Sequence, residues 1–380
     1  RHLVGLGLGA DDSSIPLEVS YYDHVADLAW SIGAIAPRFG LQPDSSGHYS
    51  LDDYFTIARG SQSVPPLEMT KWFDSNYHYL VPEIGPETTF QVTSPWFVER
   101  FVEARDAGFH TRPVLVGPVS FLMLSKPSDQ APAGFSPLSR LSDLLPVYRE
   151  LLEQLRSAGA DWVQLDESAL VSDNFEIDSA SVSAAVTEAY QQLQGDNLPQ
   201  ILLQASYGEL DAHLDAVATS PVPAVGLDLC RGGVPRHPGL ADKVLVGGVI
   251  DGRNIWRGSL QRAWDSLTEL RTVSAQVSVS SSTSLFHVPH TLDDEAALGE
   301  QLVSWLAFAD EKVGQVTTLG RGLVEGEKAI RAATVIACKL LAEKTGMSEP
   351  EMDAWLFLQS RDADFQANAQ PFHLTTTTSY

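Results

Sequence analysis

From about residue 110 onward, short β-branched apolar runs alternate with polar turns and amphipathic stretches whose apolar residues fall three and four apart. No other feature restricts the fold as strongly. The runs "RPVLVGPVS" (112–120), "DWVQLDES" (161–168), "QILLQASYG" (200–208), "PAVGLDLCRG" (223–232), "KVLVGGVIDG" (243–252) and "AQVSVSSSTS" (275–284) read as buried parallel strands, each ending in polar or glycine residues. Between the first two runs, "LSDLLPVYRELLEQLRSAG" places Leu141, Leu144, Leu145, Tyr148, Leu151, Leu152 and Leu155 on one helical face. Ser142 can cap that helix, Pro146 lies near its first turn and Gly159 can end it. Further helices are expected in "SVSAAVTEAYQQLQ", "ELDAHLDAVA", "SLQRAWDSLTELRTV" and "LGEQLVSWLAFADEKVGQV".

With "YHYLVPEI" (77–84) as a seventh strand and "HLVGLGLGA" (2–10) as an eighth, the alternation predicts an α/β fold, a (β/α)8 TIM-like barrel with inserted helices. Its first βα unit is atypical or missing. A doubly wound sheet is the rival, but Gly5, Gly7 and Gly9 alternate and do not satisfy the dinucleotide-binding glycine pattern. Residues 1–76 read as an atypical first segment with inserted helices, 77–325 as the main barrel and 326–380 as a helical and linker segment. That last part holds "GEKAIRAATVIACKLLAEKTG" and "QANAQPFHLTTTTSY".

The 49 acidic residues against 25 basic ones leave a net charge of −24, which opposes binding to nucleic acid or to an anionic membrane surface. An anionic ligand must then be held by a local island of positive charge. Lys71, in the polar and aromatic run "LEMTKWFDSNYHYLVPE" (67–83), is a candidate for that role. Cys230 and Cys338 are too far apart in sequence for a disulfide framework or a closely spaced zinc pair, and a reducing cytoplasm is expected. No stretch is apolar enough to predict a membrane span. The start at Arg1 in place of methionine reads as a fragment or a trimmed product.

On the barrel reading, Asp166 and Glu167, Asp228 and Asp251 all fall at strand ends, where carboxylates can do acid and base work or hold a cation. Equally, such residues cap the helices that follow. Asp166 and Glu167 are adjacent, so both are not assumed to point into the mouth. Spacing does not decide whether two of these carboxylates face each other as a glycosidase requires. His287 and His290 in "FHVPH" are separated by a proline outside any expected helix, and Ser206 lacks a nucleophile-elbow context.

Several segments together resemble the amino-terminal half of cobalamin-independent methionine synthase. They are "SYYDHVADLAW", "YFTIARG", "PLEMTKWFDSNYHYLVPE", "LVGPVSFL", "WVQLDESAL" and "GGVIDGRNIW", covering about residues 18–325. The resemblance implies a two-barrel enzyme that transfers a methyl group from 5-methyltetrahydropteroyl-polyglutamate to homocysteine. In that family the carboxyl-terminal barrel carries the zinc and the homocysteine site. This chain matches the half that assists folate binding, so no catalytic residue is expected in it, and the zinc-bearing barrel is its expected partner. The family's zinc barrel has a His-x-Cys-Tyr pattern where Gln204, Ala205, Ser206 and Tyr207 stand here; its liganding glutamate corresponds to Asp228, and its late cysteine falls near Thr283. Those donors suit zinc poorly, and no metal is expected in this chain.

By the same resemblance the lysine of "EMTKWF" contacts folate, which makes Lys71 the leading substrate-binding residue, with Trp72 and Asn76 as further candidates and Asp166 and Asp251 as strand-end candidates. An ammonium on a flexible stem suits a tail of carboxylates. The alternative is a surface lysine paired with Glu68 or Asp74, while Trp72 and Tyr79 read as core or wall residues. The family's "YPRIG" strand, with the arginine and lysine that follow it and reach folate, is replaced here by "LVGLGLGADDSS": Leu8 stands at a basic position with Asp11 and Asp12 after it. Either that segment is missing or much of the first βα unit is deleted. Ser168 stands where the family usually has proline. The expected function is therefore a folate-assisting half that is inactive alone. A non-catalytic folate-binding or assembly module is the alternative, and a barrel glycoside hydrolase using Asp166 or Asp251 is a third reading.

Overall fold

A computed structural model describes residues 1–295, 297–328 and 330 of the chain. In chain order, α1 (His2–Gly5), β1 (Pro16–Leu17), α2 (His24–Ser31) and α3 (Leu51–Arg59) come first. They are followed by β2 (Met69–Lys71), β3 (His78–Leu80), β4 (Glu83–Ile84) and α4 (Trp96–Asp106). The regular part then runs β5 (Arg112–Val116), α5 (Pro118–Met123), β6 (Lys126–Pro127), α6 (Leu141–Ala158), β7 (Trp162–Asp166), α7 (Ser179–Gln192) and β8 (Gln200–Ala205). It finishes with α8 (Leu214–Thr219), β9 (Ala224–Asp228), β10 (Val244–Ile250), α9 (Leu260–Leu270), β11 (Val277–Ser281), α10 (Glu300–Trp305) and α11 (Ala309–Glu325).

All six apolar runs form strands of one parallel sheet, whose order is β1-β5-β7-β8-β9-β10-β11. Among the described residues the sheet has seven strands, not eight. Residues 77–84 do not belong to it: β3 pairs antiparallel with β2 in a hairpin, and Pro82 then ends that pairing before the short β4 joins β6. Residues 2–10 supply no strand either. They make one helical turn followed by Gly7 at φ +103°, since closely spaced glycines weaken a strand and permit a turn. The first strand of the sheet is instead Pro16–Leu17, two residues long and paired with Arg112 and Pro113. The long helix expected over 298–316 is broken in two at Leu306–Phe308, where Leu306 bridges to Trp256. The expected helix and linker beyond residue 330 lie outside the described residues.

The sheet is rolled so that its outer strands approach: Glu18, just after β1, accepts a 2.5 Å hydrogen bond from Ser284, just after β11. No ladder joins β1 to β11 among the described residues, and the barrel is open along that seam. The larger apolar core runs from α2 through the hairpin to β10, and a second cluster, with Ala263, Trp264, Leu267 and Leu319, packs α9 against α11. Asp23 welds the early segment onto it by accepting from Val25 and Ala26 at the start of α2 and from Leu80 in β3.

Local capping is equally specific in α3. Ser50 accepts from Asp53 N–H while the Asp53 carboxylate accepts from Ser50 N–H. Ser50→Ala is expected to lower stability by about 1 kcal/mol, read as a shift in the urea midpoint at unchanged slope. No helix of the described residues is long and apolar enough to cross a membrane.

Candidate functional site

The carboxyl ends of the sheet strands surround a cavity of about 480 Å³ that reaches into the open seam. Val114, Val116, Leu202 and Val246 give it apolar walls, whereas Glu18, His24, Asp166, Gln204, Ser206 and Tyr207 line it at the carboxyl ends and Arg112 at the start of β5. Adjacent residues in a strand point to opposite faces, and this separates the neighbouring acids. Asp166 turns into the cavity, where Gln164 Nε2 donates to it at 2.7 Å and Arg112 in turn holds Gln164 at 3.2 Å. Glu167 turns outward into the helical layer, fully buried, and accepts from Val119 N–H, Ser120 N–H and the Tyr190 hydroxyl.

Enclosure pushes the Asp166 carboxyl up to about 7, and the neighbouring Glu18 charge adds to the rise. Glu18 is itself raised by burial against the Ser284 hydrogen bond. His24, 3.4 Å from Glu18, is lowered by burial. Glu18 gave no signal in the sequence, because it follows a two-residue strand too short to show periodicity.

The other strand-end acids have structural employment. Asp228 accepts from Tyr207, Cys230 and Arg231 N–H groups, and Asp251 accepts from Arg253 N–H and the Asn254 side chain. Asp251 does not line the cavity, so it does not face Asp166 across it. Beside Asp251, the buried Lys312 ammonium donates to the backbone oxygens of Asp251 and Trp256, and burial lowers it to about 8.

The hairpin closes one side of the mouth. Trp72 is only 4% exposed and lines the cavity; its indole N–H donates to the Tyr207 hydroxyl at 2.9 Å. That hydroxyl also shares a hydrogen bond with His287 Nε2, 2.7 Å away, and burial lowers His287 to about 4. Tyr207 also stacks on Phe73 at 5.0 Å, and both residues sit at positive φ, Tyr207 at 78° and Phe73 at 50°. Backbone strain of this kind gathers where the surrounding structure holds a particular shape.

Lys71 and Asn76 are exposed on the same hairpin and do not line the cavity. Glu68 is taken by Lys126 at 2.9 Å, and Asp74 by Arg231 at 2.6 Å and by Arg253. Among the described residues Lys71 has no salt bridge, so neither expected carboxylate neutralises it. Arg231 and Arg253 share the single carboxylate of Asp74, three residues beyond Lys71 on the same hairpin.

A family model described as "Cobalamin-independent synthase, N-terminal domain" matches residues 9–275. The chain belongs to this family. The 5-methyltetrahydropteroyltriglutamate–homocysteine methyltransferase of Mycobacterium tuberculosis H37Rv is 46% identical over 321 residues, covering 83% of this chain and 41% of that protein. Its counterpart in Rhodococcus jostii RHA1 is 46% identical over 323 residues with the same coverage, and that of Streptomyces griseus is 43% identical over 336 residues, covering 87% and 42%. The chain thus spans less than half the length of these relatives. Among solved structures, a B12-independent methionine synthase from Shewanella sp. W3-18-1 aligns over 71% of this chain and 75% of its own, at TM-score 0.47 and 15% identity.

Within this cobalamin-independent synthase domain, the strand ends are poor metal donors. Gln204 Nε2 donates to Ser206 Oγ at 3.0 Å, Thr283 offers only a hydroxyl, and the Asp228 carboxylate already accepts three backbone N–H groups. These residues do not fit a zinc ion.

Proposed function

We propose that this chain is the half of a cobalamin-independent methionine synthase that helps hold the polyglutamate tail of 5-methyltetrahydropteroyltriglutamate. Methyl transfer to homocysteine then requires the rest of the enzyme, including a zinc-bearing carboxyl-terminal barrel. The observation that carries this reading is Lys71: exposed, on a hairpin pinned by Asp74 to the strand ends, and without a carboxylate partner among the described residues because Lys126, Arg231 and Arg253 occupy its neighbours. Its ammonium can meet a carboxylate without first giving up an internal ion pair. Trp72 and Asn76 belong to the same hairpin, Trp72 as the wall that holds its shape and Asn76 as an exposed polar group at its turn.

Calorimetry with the triglutamate and monoglutamate forms of methyl-folate tests the reading on the chain joined to its carboxyl-terminal partner. Lys71→Ala is expected to weaken the triglutamate by roughly tenfold and the monoglutamate much less. Equal loss for both, or none, removes Lys71 from tail recognition. The chain alone, mixed with methyl-folate, homocysteine and zinc, is expected to yield no methionine, and turnover would overturn that part. If the isolated chain binds the triglutamate without the partner, the reading shifts to a self-sufficient folate-binding module. A glycoside hydrolase is disfavoured by Asp251, which is bound up in its own turn away from the cavity.

A further inference from the structure

Away from the cavity mouth, three side chains that are remote in sequence converge. His2 Nε2 lies 2.8 Å from Asp310 Oδ1, and His290 Nε2 lies 3.6 Å from the same oxygen. One donor atom from each of the three residues falls within 4.8 Å of the others. We propose that His2, His290 and Asp310 bind one divalent transition-metal ion, of the zinc, cobalt or nickel class, which clips α1 onto the open seam of the sheet.

Two imidazoles and one carboxylate are donors that borderline cations favour over magnesium or calcium, and water can complete the coordination. The site is partly preorganised. Asp310 lies in the first turn of the 17-residue α11, and its backbone N–H donates to the His290 carbonyl at 3.0 Å, while Ala309 N–H donates to Pro289 at 2.9 Å. These two bonds hold His290 and Asp310 side by side before any ion arrives. His2 reaches them because α1 lies along α11, where Thr317 Oγ1 donates to the Leu6 carbonyl at 3.3 Å. The net charge of −24 further favours a cation over an anion at this surface.

The place of the site gives the ion a consequence. Leu3 and Leu8, on and just beyond α1, line the cavity together with Val313 and Val316 of α11. An ion on His2, His290 and Asp310 therefore fastens the segment that covers the gap between β1 and β11, where no backbone ladder does so. Binding only to the folded chain raises its stability by mass action. The expectation of a metal-free chain came from the strand ends and from the local "FHVPH" spacing, and neither includes His2 or Asp310.

The test is titration of zinc chloride into the chelator-treated chain, followed by calorimetry and thermal unfolding, with magnesium chloride as the control salt. One ion per chain is expected to bind with saturation well below about 1 mM and to raise the melting temperature, whereas magnesium does neither. His290→Ala is expected to weaken zinc by more than the roughly 10–100-fold that follows loss of an outer partner of a metal ligand, with Asp310→Asn doing the same. His48→Ala is expected to leave binding unchanged. Because His290 is exposed, its alanine variant is expected to fold, and circular dichroism checks this. Absence of saturable zinc binding, or a His290→Ala variant that binds as the wild type does, overturns the proposal.

Discussion

Glu167→Ala is expected to lower the stability of the chain by about 4 kcal/mol, enough to unfold a domain of ordinary stability at modest denaturant. The side chain has no exposure and stands where β7 passes into the helical layer. Its two oxygens accept from Val119 N–H at 3.3 Å, from Ser120 N–H at 2.7 Å and from the Tyr190 hydroxyl at 2.8 Å. Truncation strands three buried donors, each worth about 1–3 kcal/mol when left unmade. Part of that loss is offset, because the folded protein no longer holds a carboxyl whose pKa burial has raised. Glu167→Gln keeps an acceptor oxygen and is expected to cost about half as much. Urea unfolding of both variants decides the matter, and a loss below about 1 kcal/mol for alanine would show that water or repacking replaces the carboxylate. Gly117 adds a second constraint on the same spot, since a Cβ there would lie 2.3 Å from Glu167 Cδ.

The adjacent acid behaves in the opposite way. Asp166→Asn is expected to make the chain more stable than the wild type at pH 8, on the order of 2 kcal/mol, with the difference closing toward pH 4. Enclosure in the cavity and the neighbouring Glu18 raise the Asp166 carboxyl from 3.8 to about 7, so the folded chain holds this proton more tightly than the unfolded one. Its stabilising contribution is therefore complete below 3.8 and is lost as pH rises through about 7. Asparagine stays neutral throughout and can still accept from Gln164. Asp166 keeps some solvent contact across the cavity, which screens its charge and limits the gain. Glu18, His24 and Arg112 face the same space, and comparison of variant with wild type at each pH isolates the Asp166 share. A difference that does not change with pH would place this carboxyl in water and remove the case for a proton held at the mouth.

Three residues show how far local patterning reaches. Asp166, Asp228 and Asp251 are all legible as strand-end acids, yet only Asp166 opens into the cavity, and the other two tie down turns. Which acid faces inward depends on how the sheet rolls, and that is a property of strands brought together from distant sequence. Lys71 was legible as an unusual lysine. Its freedom from Glu68 and Asp74 was not, because Lys126, Arg231 and Arg253 come from other parts of the chain.

The six longer parallel strands and most of the helices between them were determined by the sequence alone, because short β-branched apolar runs bounded by turn residues mark strands and the helices show a period of 3.6. The family, too, was readable from contiguous strings such as "EMTKWFDSNYHY". Tertiary structure alone decided that no ladder joins β1 to β11 among the described residues, that residues 78–80 form a hairpin outside the sheet, that Glu18 stands beside Asp166, and that His2 meets His290 and Asp310. Periodicity records what each segment buries, whereas pairing, closure and clustering depend on which distant segments share an edge. That choice is set by the packing of the whole core.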